Sequence, residues 1–360
     1  MATANKSNKS NKSNKSNKSG IDDELAHAGD GSSLLLSGAL QTAMLALNGP
    51  AERVPPEALE RPSDETHFRR LNDRHRLHLI VRDLVAGLSV EAGAGGGTSR
   101  VAVLRRDSTP LLTLRLETGA GTLAFWQQQI DQLRAQKWHR DDRLAEIVLQ
   151  QTDIISFLTL AVPTPPESRR WILVLLDAVQ ELAFRVATEM KALLPMNRPE
   201  VLAGDVAPVI QTPAHSAFPS GHATEAFAAA AVLGALYPAR LGQLRRLAAR
   251  IAVNRGFAGV HYPVDHLAGA MLGDMLGAHV VEKVFGVTML AQGIQFPATL
   301  VAGEGPNGAA WDEVEDYALG LGLLRMQAAP ACARNTVAAL PDSLLTRLAR
   351  AVSGDVLGAP

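Results

Sequence analysis

The run PSGHATEAFAAAAVLGAL, from Pro219 to Leu236, decides the architecture. Ser220 stands directly before a long apolar stretch that begins at Ala223 and stops short of Pro238, which is how a helix begins and ends in sequence. The reading places Ser220, Gly221 and His222 at a helix N-terminus. Free backbone N–H groups and the helix dipole there favour a negatively charged ligand. Gly221 has no Cβ, so a ligand oxygen can approach its main-chain N–H.

Upstream, Lys191-x6-Arg198-Pro199 closes a second helical pattern. Ser168 is placed to cap it, and Leu175, Leu176, Val179, Leu182, Ala183 and Val186 fall on one side. Lys191 then lies in the last turn, Pro195 ends the helix, and Arg198 is on the loop beyond it. Glu200–Phe218 reads as irregular loop. Downstream, Arg240–Val260 reads as a helix with Arg255 near its end. Pro263 opens a further helix with Asp265 in its first turn. The spacing His261-x3-Asp265 lets the carboxylate reach the imidazole and set its tautomer.

Lys191, Arg198 and Arg255 with Ser220 and the Gly221 N–H make a donor set for a tetrahedral oxyanion, because guanidinium groups match its oxygens in bidentate fashion. One histidine is then available to attack or coordinate the central atom and the other to move protons. Singly, each residue has a plain structural reading: a solvated lysine, a surface arginine, an N-cap turn, a hydrogen-bonded core histidine. Their joint order and spacing outweigh those readings.

The three segments resemble the signature of the phosphatidic-acid-phosphatase type 2 / vanadium haloperoxidase superfamily, over about 75 of 360 residues. One position departs from that pattern: the family usually has Ser before the third-segment Arg, and here it is Asn254. The resemblance implies a mainly α bundle of the acid phosphatase/vanadium haloperoxidase type. It implies one pocket for phosphate or vanadate, bound by Lys191, Arg198, Ser220, Gly221 and Arg255. His261, His222 and Asp265 would be catalytic, with His261 the vanadium ligand if vanadate is the cofactor. His215 lies seven residues before His222, an offset at which bromoperoxidases of the vanadium class often carry histidine and chloroperoxidases an aromatic. It reads equally as a structural loop histidine.

Two chemistries fit. With vanadate, peroxide and halide would react at a centre held by His261. With a phosphoester, His261 would attack phosphorus and His222 would move the protons. The continuation Ala223-Thr224, the chain length and the lack of a signal-peptide core favour a soluble, cytoplasmic haloperoxidase-like enzyme with vanadate as cofactor. Against it, Asn197 stands where many haloperoxidases have Trp, and the turn Gly259–Pro263 also resembles that of the lipid phosphatases. A phosphatase, and a non-catalytic phosphate-binding module, are the alternatives. The expected partners are small molecules: hydrogen peroxide and halide, or a phosphoester. Homo-oligomerisation is left open.

Composition sets the outer bounds. A net charge of −1 with dispersed basic residues excludes sequence-independent nucleic-acid binding. The stretches Trp171–Leu194 and Leu267–Phe285 carry Asp177, Glu181, Arg185, Glu189, Asp274 and Glu282 at helical intervals, against a membrane span. The single Cys332 has no intramolecular partner. The expected divisions are a disordered Asn-Lys-Ser repeat tail (1–20), a mainly helical region with a β-hairpin (21–162), the catalytic bundle (163–290) and a C-terminal extension (291–360). Helical patterns cover Asp22–Leu88 with a Pro50–Pro62 break, and Leu123–Phe157. The hairpin is Val101–Leu104 and Leu112–Leu116, and Gly93–Gly97 reads as a hinge. Asp73, His75 and His78 have metal-like spacing within an Arg-rich helix that includes Arg76, and read as a solvated face. Trp126, Trp138 and Trp171 read as core.

Overall fold

The computed structural model describes residues 39, 42–43, 63–163, 169–287, 291–292, 298–303, 325–326 and 343–357. The Asn-Lys-Ser tract, Pro50–Pro62, Ser168 and Cys332 lie outside the described residues. The chain divides into two compact units, Met1–Arg76 and Leu77–Pro360.

In the first unit, helix α1 (Asp64–Arg70) is capped by Ser63, whose Oγ accepts from Thr66 N. The next helix, α2 (Asp73–Val85), starts here and runs into the second unit. Asp73, His75 and His78 are exposed, as a solvated face requires. Arg76 corrects that reading, since it is buried. Its guanidinium donates to the carbonyls of Phe68, Arg69 and Leu71 and pairs with Asp73, so its charge stays hydrogen-bonded although it is out of water.

The helical pattern also ends earlier than Leu88. That residue opens β1 (Leu88–Ala92), which pairs antiparallel with β2 (Ser99–Arg106). Gly93–Gly97 is therefore the connection of this pair, and Gly93 N donates to Val101 O. The expected hairpin is β2 with β3 (Thr109–Glu117). It widens into a four-stranded sheet, because β5 (Ala298–Ala302) adds parallel to β3 in the order β1-β2-β3-β5. A β4 (Ala291–Gln292)–β6 (Arg325–Met326) pair forms a second, two-stranded ladder.

The stretch Leu123–Phe157 breaks into α3 (Leu123–Gln136), α4 (Leu144–Leu149) and α5 (Ile155–Thr159), with 3₁₀ turns at Lys137–His139 and Asp141–Arg143. Trp126 is buried and donates Nε1–H to Glu117 O. Trp138 sits on one of those turns and is 82% exposed, so it is not core; Trp171 is half-buried.

The bundle comprises α6 (Arg170–Leu193), the single turn α7 (Pro199–Leu202), α8 (Gly221–Leu236), α9 (Leu241–Phe257), α10 (Pro263–Phe285) and α11 (Leu344–Leu357). Helix α6 is amphipathic and buries the expected stripe from Leu175 to Val186, which extends to Ile172 and Met190 at its two ends. Its first amides, Trp171 N and Ile172 N, donate to Asp355 Oδ2 of α11, so the capping acceptor comes from far along the chain. Every residue of α8 from Ala223 to Leu236 is buried, as expected of a helix that is apolar all round. It packs against α6, α9 and α10.

Gly269, Gly273 and Gly277 line one face of α10 at intervals of four and let α8 come close. A Cβ at these positions would lie 2.5 Å from Ser220 O, Thr224 O and Ala231 Cβ respectively. Asp274 is fully buried. It is held by Arg245 of α9 through two hydrogen bonds of 2.8 and 3.0 Å, so this charge marks an internal ion pair and not a wet face. Among the described residues, no helix is long and apolar enough to cross a membrane.

Candidate active site

Four elements converge at one end of the bundle. Helix α6 delivers Lys191 from its last turn, and Arg198 is the N-cap of α7. Ser220 is the N-cap of α8, where its Oγ accepts from Ala223 N. Its own amide donates to Asp265 O, which ties the start of α8 to the start of α10. Gly221 and His222 are the first residues of α8. Apart from its chain neighbours and the helix's own backbone, no heavy atom of the described residues lies within 4 Å of the place a Gly221 Cβ would take, so that side of the residue is open. The loop expected at 200–218 contains α7 and a 3₁₀ turn, Gly204–Val206, and is irregular beyond them.

His261 sits in the turn before α10 and is buried. Its Nδ1 is 2.9 Å from Asp265 Oδ2, which also accepts from Tyr262 N. With Asp265 ionised, its carboxylate only accepts, so Nδ1 carries the proton and Nε2 carries a lone pair. Arg198 Nη1 lies 3.1 Å from that Nε2 and donates to Val260 O as well. The rest of the Arg198 guanidinium reaches His215: Nε donates to its carbonyl, and Nη2 lies 3.1 Å from its Nδ1. His215 therefore stands beside the cluster, attached through Arg198. Lys191 Nζ donates to the carbonyls of Ser216, Ala217 and Pro219 and so shapes the loop leading into α8.

The opposite wall is built by α4 and α9. His222 Nε2 is 3.0 Å from Gln150 O and must be the donor, since a carbonyl only accepts. Arg255 is buried, with Nη2 donating to Ile147 O and Gln150 Oε1; its Nε and Nη1 have no partner among the described residues. Asn254 extends the wall by donating to Glu146 Oε2 and Gln150 Oε1, both at 3.0 Å, and accepting from Arg143 Nη1. The sequence reading had no place for Glu146 or Gln150, because nothing in α4 resembles a motif. The departure at Asn254 was the one available signal that its surroundings differ.

Burial sets the proton affinities. It pushes Lys191 down to about 7, aided by the charge of Arg198 and opposed by Asp265. It lowers Arg255 to about 10. It holds His261 well below the usual imidazole range, with Arg198 and Lys191 acting in the same direction, so the ring is neutral. His215 is drawn to about 4 by desolvation and by Lys191. Burial raises Asp265 to about 7 against the pull of the Tyr262 amide, Lys191 and Arg198. His266, packed edge-on to the His261 ring with centroids 6.1 Å apart, is lowered to about 3 by burial and Arg255.

The sequence profile of the PAP2 superfamily matches residues 171–288, which carry all three segments. Decaprenylphosphoryl-5-phosphoribose phosphatase of Mycobacterium tuberculosis (strain CDC 1551 / Oshkosh) is 34% identical over 133 residues, 37% of this chain and 71% of that protein. The protein of the same name from strain ATCC 25618 / H37Rv matches to the same extent. The chain belongs to the PAP2 superfamily. The mainly α bundle with a small sheet is the architecture the PAP2 resemblance implied. Both mycobacterial relatives are phosphatases by name. Among the described residues, no group of three or more His, Cys, Asp or Glu is placed to hold a metal ion. The α4 wall lies outside the PAP2 match.

Proposed function

We propose that the chain is a phosphohydrolase that cleaves a phosphomonoester through a phosphohistidine on His261. The observation that carries this reading is the state of His261: a neutral ring, Nδ1–H given to Asp265, and the Nε2 lone pair facing Arg198. The relatives, named as phosphatases, turn the choice between phosphate and vanadate chemistry toward phosphoesters.

In this reading Arg198, Arg255, Ser220 Oγ–H and the Gly221 N–H hold the phosphoryl oxygens, while Lys191, its three N–H groups given to the loop carbonyls, contributes its charge, and the positive end of α8 adds to their field. His261 Nε2 forms the bond to phosphorus as the ester oxygen leaves, and His222 gives that oxygen a proton. Water then attacks the phosphoryl group and breaks the P–N bond, while His222 takes the proton. Inorganic phosphate departs, and both histidines return to their starting state. Asp265 keeps Nε2 unprotonated and stabilises the positive ring while phosphate is attached.

The same donor set suits vanadate, which would enter as a competitor of phosphate. The relatives' named substrate, a prenylphosphoryl phosphoribose, is the first phosphoester to test, alongside a chromogenic aryl phosphate. Hydrolysis inhibited competitively by vanadate is expected. Vanadate-dependent bromide oxidation by peroxide without phosphatase activity would overturn the reading.

A further inference from the structure

We propose that Gln150 is a further ligand of the phosphate group, its carboxamide N–H donating to the oxyanion beside Arg255. The proposal rests on the phosphate-site reading above. Gln150 is 1% exposed and bridges the two halves of the far wall. Its main-chain oxygen accepts from His222 Nε2, and its Oε1 accepts from Asn254 Nδ2 at 3.0 Å and Arg255 Nη2 at 3.3 Å.

The orientation of the carboxamide follows from its neighbours. Glu146 is held by Arg250 through two hydrogen bonds of 2.7 and 2.8 Å, and its Oε2 requires a donor from Asn254. Arg143 Nη1 in turn requires the Asn254 oxygen. Asn254 therefore presents N–H to Gln150, as does Arg255. Turning the Gln150 amide over would set its NH₂ against two donors. Its Nε2 must face away from both, and there it is buried with no partner among the described residues.

Arg255 Nε and Nη1 are in the same condition. Three buried donor nitrogens on two touching side chains thus lack an acceptor, next to the helix N-terminus that carries Gly221 and His222. Buried donors left unmet are strongly unfavourable, and an anion that accepts from all three removes the penalty. Asn254, in place of the serine usual in the superfamily, is long enough to reach α4 and hold Gln150 in this orientation.

Three measurements on the full-length chain test the proposal: a crystal structure of the wild type with inorganic phosphate, phosphate titration by calorimetry, and thermal unfolding. Gln150 Nε2 should lie within hydrogen-bond distance of a phosphate oxygen; a separation beyond about 4 Å overturns the proposal. Gln150→Glu keeps the acceptor for Asn254 and Arg255 but removes the donor and adds a negative charge. It should retain the wild-type melting temperature while binding phosphate roughly 10- to 150-fold more weakly. Unchanged phosphate affinity in this variant would refute the assignment; because the added charge by itself also weakens anion binding, the Gln150 Nε2–phosphate distance in the crystal structure decides between a ligand and a residue that only positions Arg255. Phosphate binding in the wild type with unchanged affinity in Gln150→Glu overturns this proposal alone. No phosphate binding in the wild type overturns the site reading and this proposal together.

Discussion

Replacing Gly269 with alanine should impair the reaction more than its effect on stability explains. The new Cβ would lie 2.5 Å from Ser220 O and 2.7 Å from Ala223 Cβ, and real Cβ contacts essentially never fall below 3.0 Å. The start of α8 must therefore move off α10 by at least about 0.5 Å. Alanine adds about 1 kcal/mol of helix propensity, while overpacking costs about 1–3 kcal/mol, so the net loss is up to about 2 kcal/mol. At Gly277 the new Cβ meets Ala231 Cβ at 2.5 Å and Ala228 O at 2.9 Å, a similar steric burden two turns away from Ser220. Both variants should lose up to roughly 3 °C in Tm. Only Gly269→Ala also displaces the Ser220 and Gly221 donors. A misplacement approaching 1 Å lowers rate by up to about 10²-fold, so a loss of about 10-fold or more in kcat/KM is expected for it and little for Gly277→Ala. The assay pairs aryl phosphate hydrolysis with thermal unfolding. Equal kcat/KM in the two variants, at equal loss of Tm, would refute the coupling of the glycine stripe to the site.

Asp274→Ala should cost about 3–5 kcal/mol, because it leaves the buried Arg245 guanidinium without its carboxylate, whereas Arg245→Met with Asp274→Leu should recover most of that loss. Urea unfolding measures both, and a loss below about 1 kcal/mol for the single variant would contradict the burial argument. Phosphate binding should depend on pH through Lys191, whose proton affinity is lowered to about 7 from the ordinary 10.5. A bound anion raises it again, so binding above pH 7 takes up as much as about one proton and weakens as pH rises. The unfolded chain binds this proton more tightly than the free folded protein, so this group's contribution to stability grows with pH between about 7 and 10.5. Calorimetry at about pH 8.5 in buffers of different ionisation enthalpy should report proton uptake; release of protons would contradict the assignment.

The bundle was legible in sequence because its signals are local. Ser220 before an apolar run, Pro195 after Lys191, and Pro263 before Asp265 each mark a helix end by backbone chemistry alone. The proximity of His261 and Asp265 follows from a four-residue spacing. What escaped the reading depends on distant chain. The strand Ala298–Ala302 completes the sheet from almost two hundred residues away, and Asp355 supplies the acceptor at the start of α6. The Gly269, Gly273 and Gly277 stripe carried a visible period of four, but only the packed partner shows what it admits. Arg76 read as solvent-facing, and the internal place of Asp274 was not visible either, because charge alone does not tell a wet face from an internal hydrogen-bonded site. Gln150 caps the C-terminus of a short helix without a motif, and its place beside Arg255 comes from tertiary contact alone.

Rapid acid-free quenching of the wild-type enzyme during turnover of a ³²P-labelled phosphomonoester, followed by peptide mapping, tests the account most directly. A substoichiometric label that is acid-labile, stable to base and carried by the peptide containing His261 is the predicted result, with His261→Ala unlabelled and inactive. Hydrolysis at wild-type rate by His261→Ala, or label on any other residue, would contradict the phosphohistidine at the centre of the account.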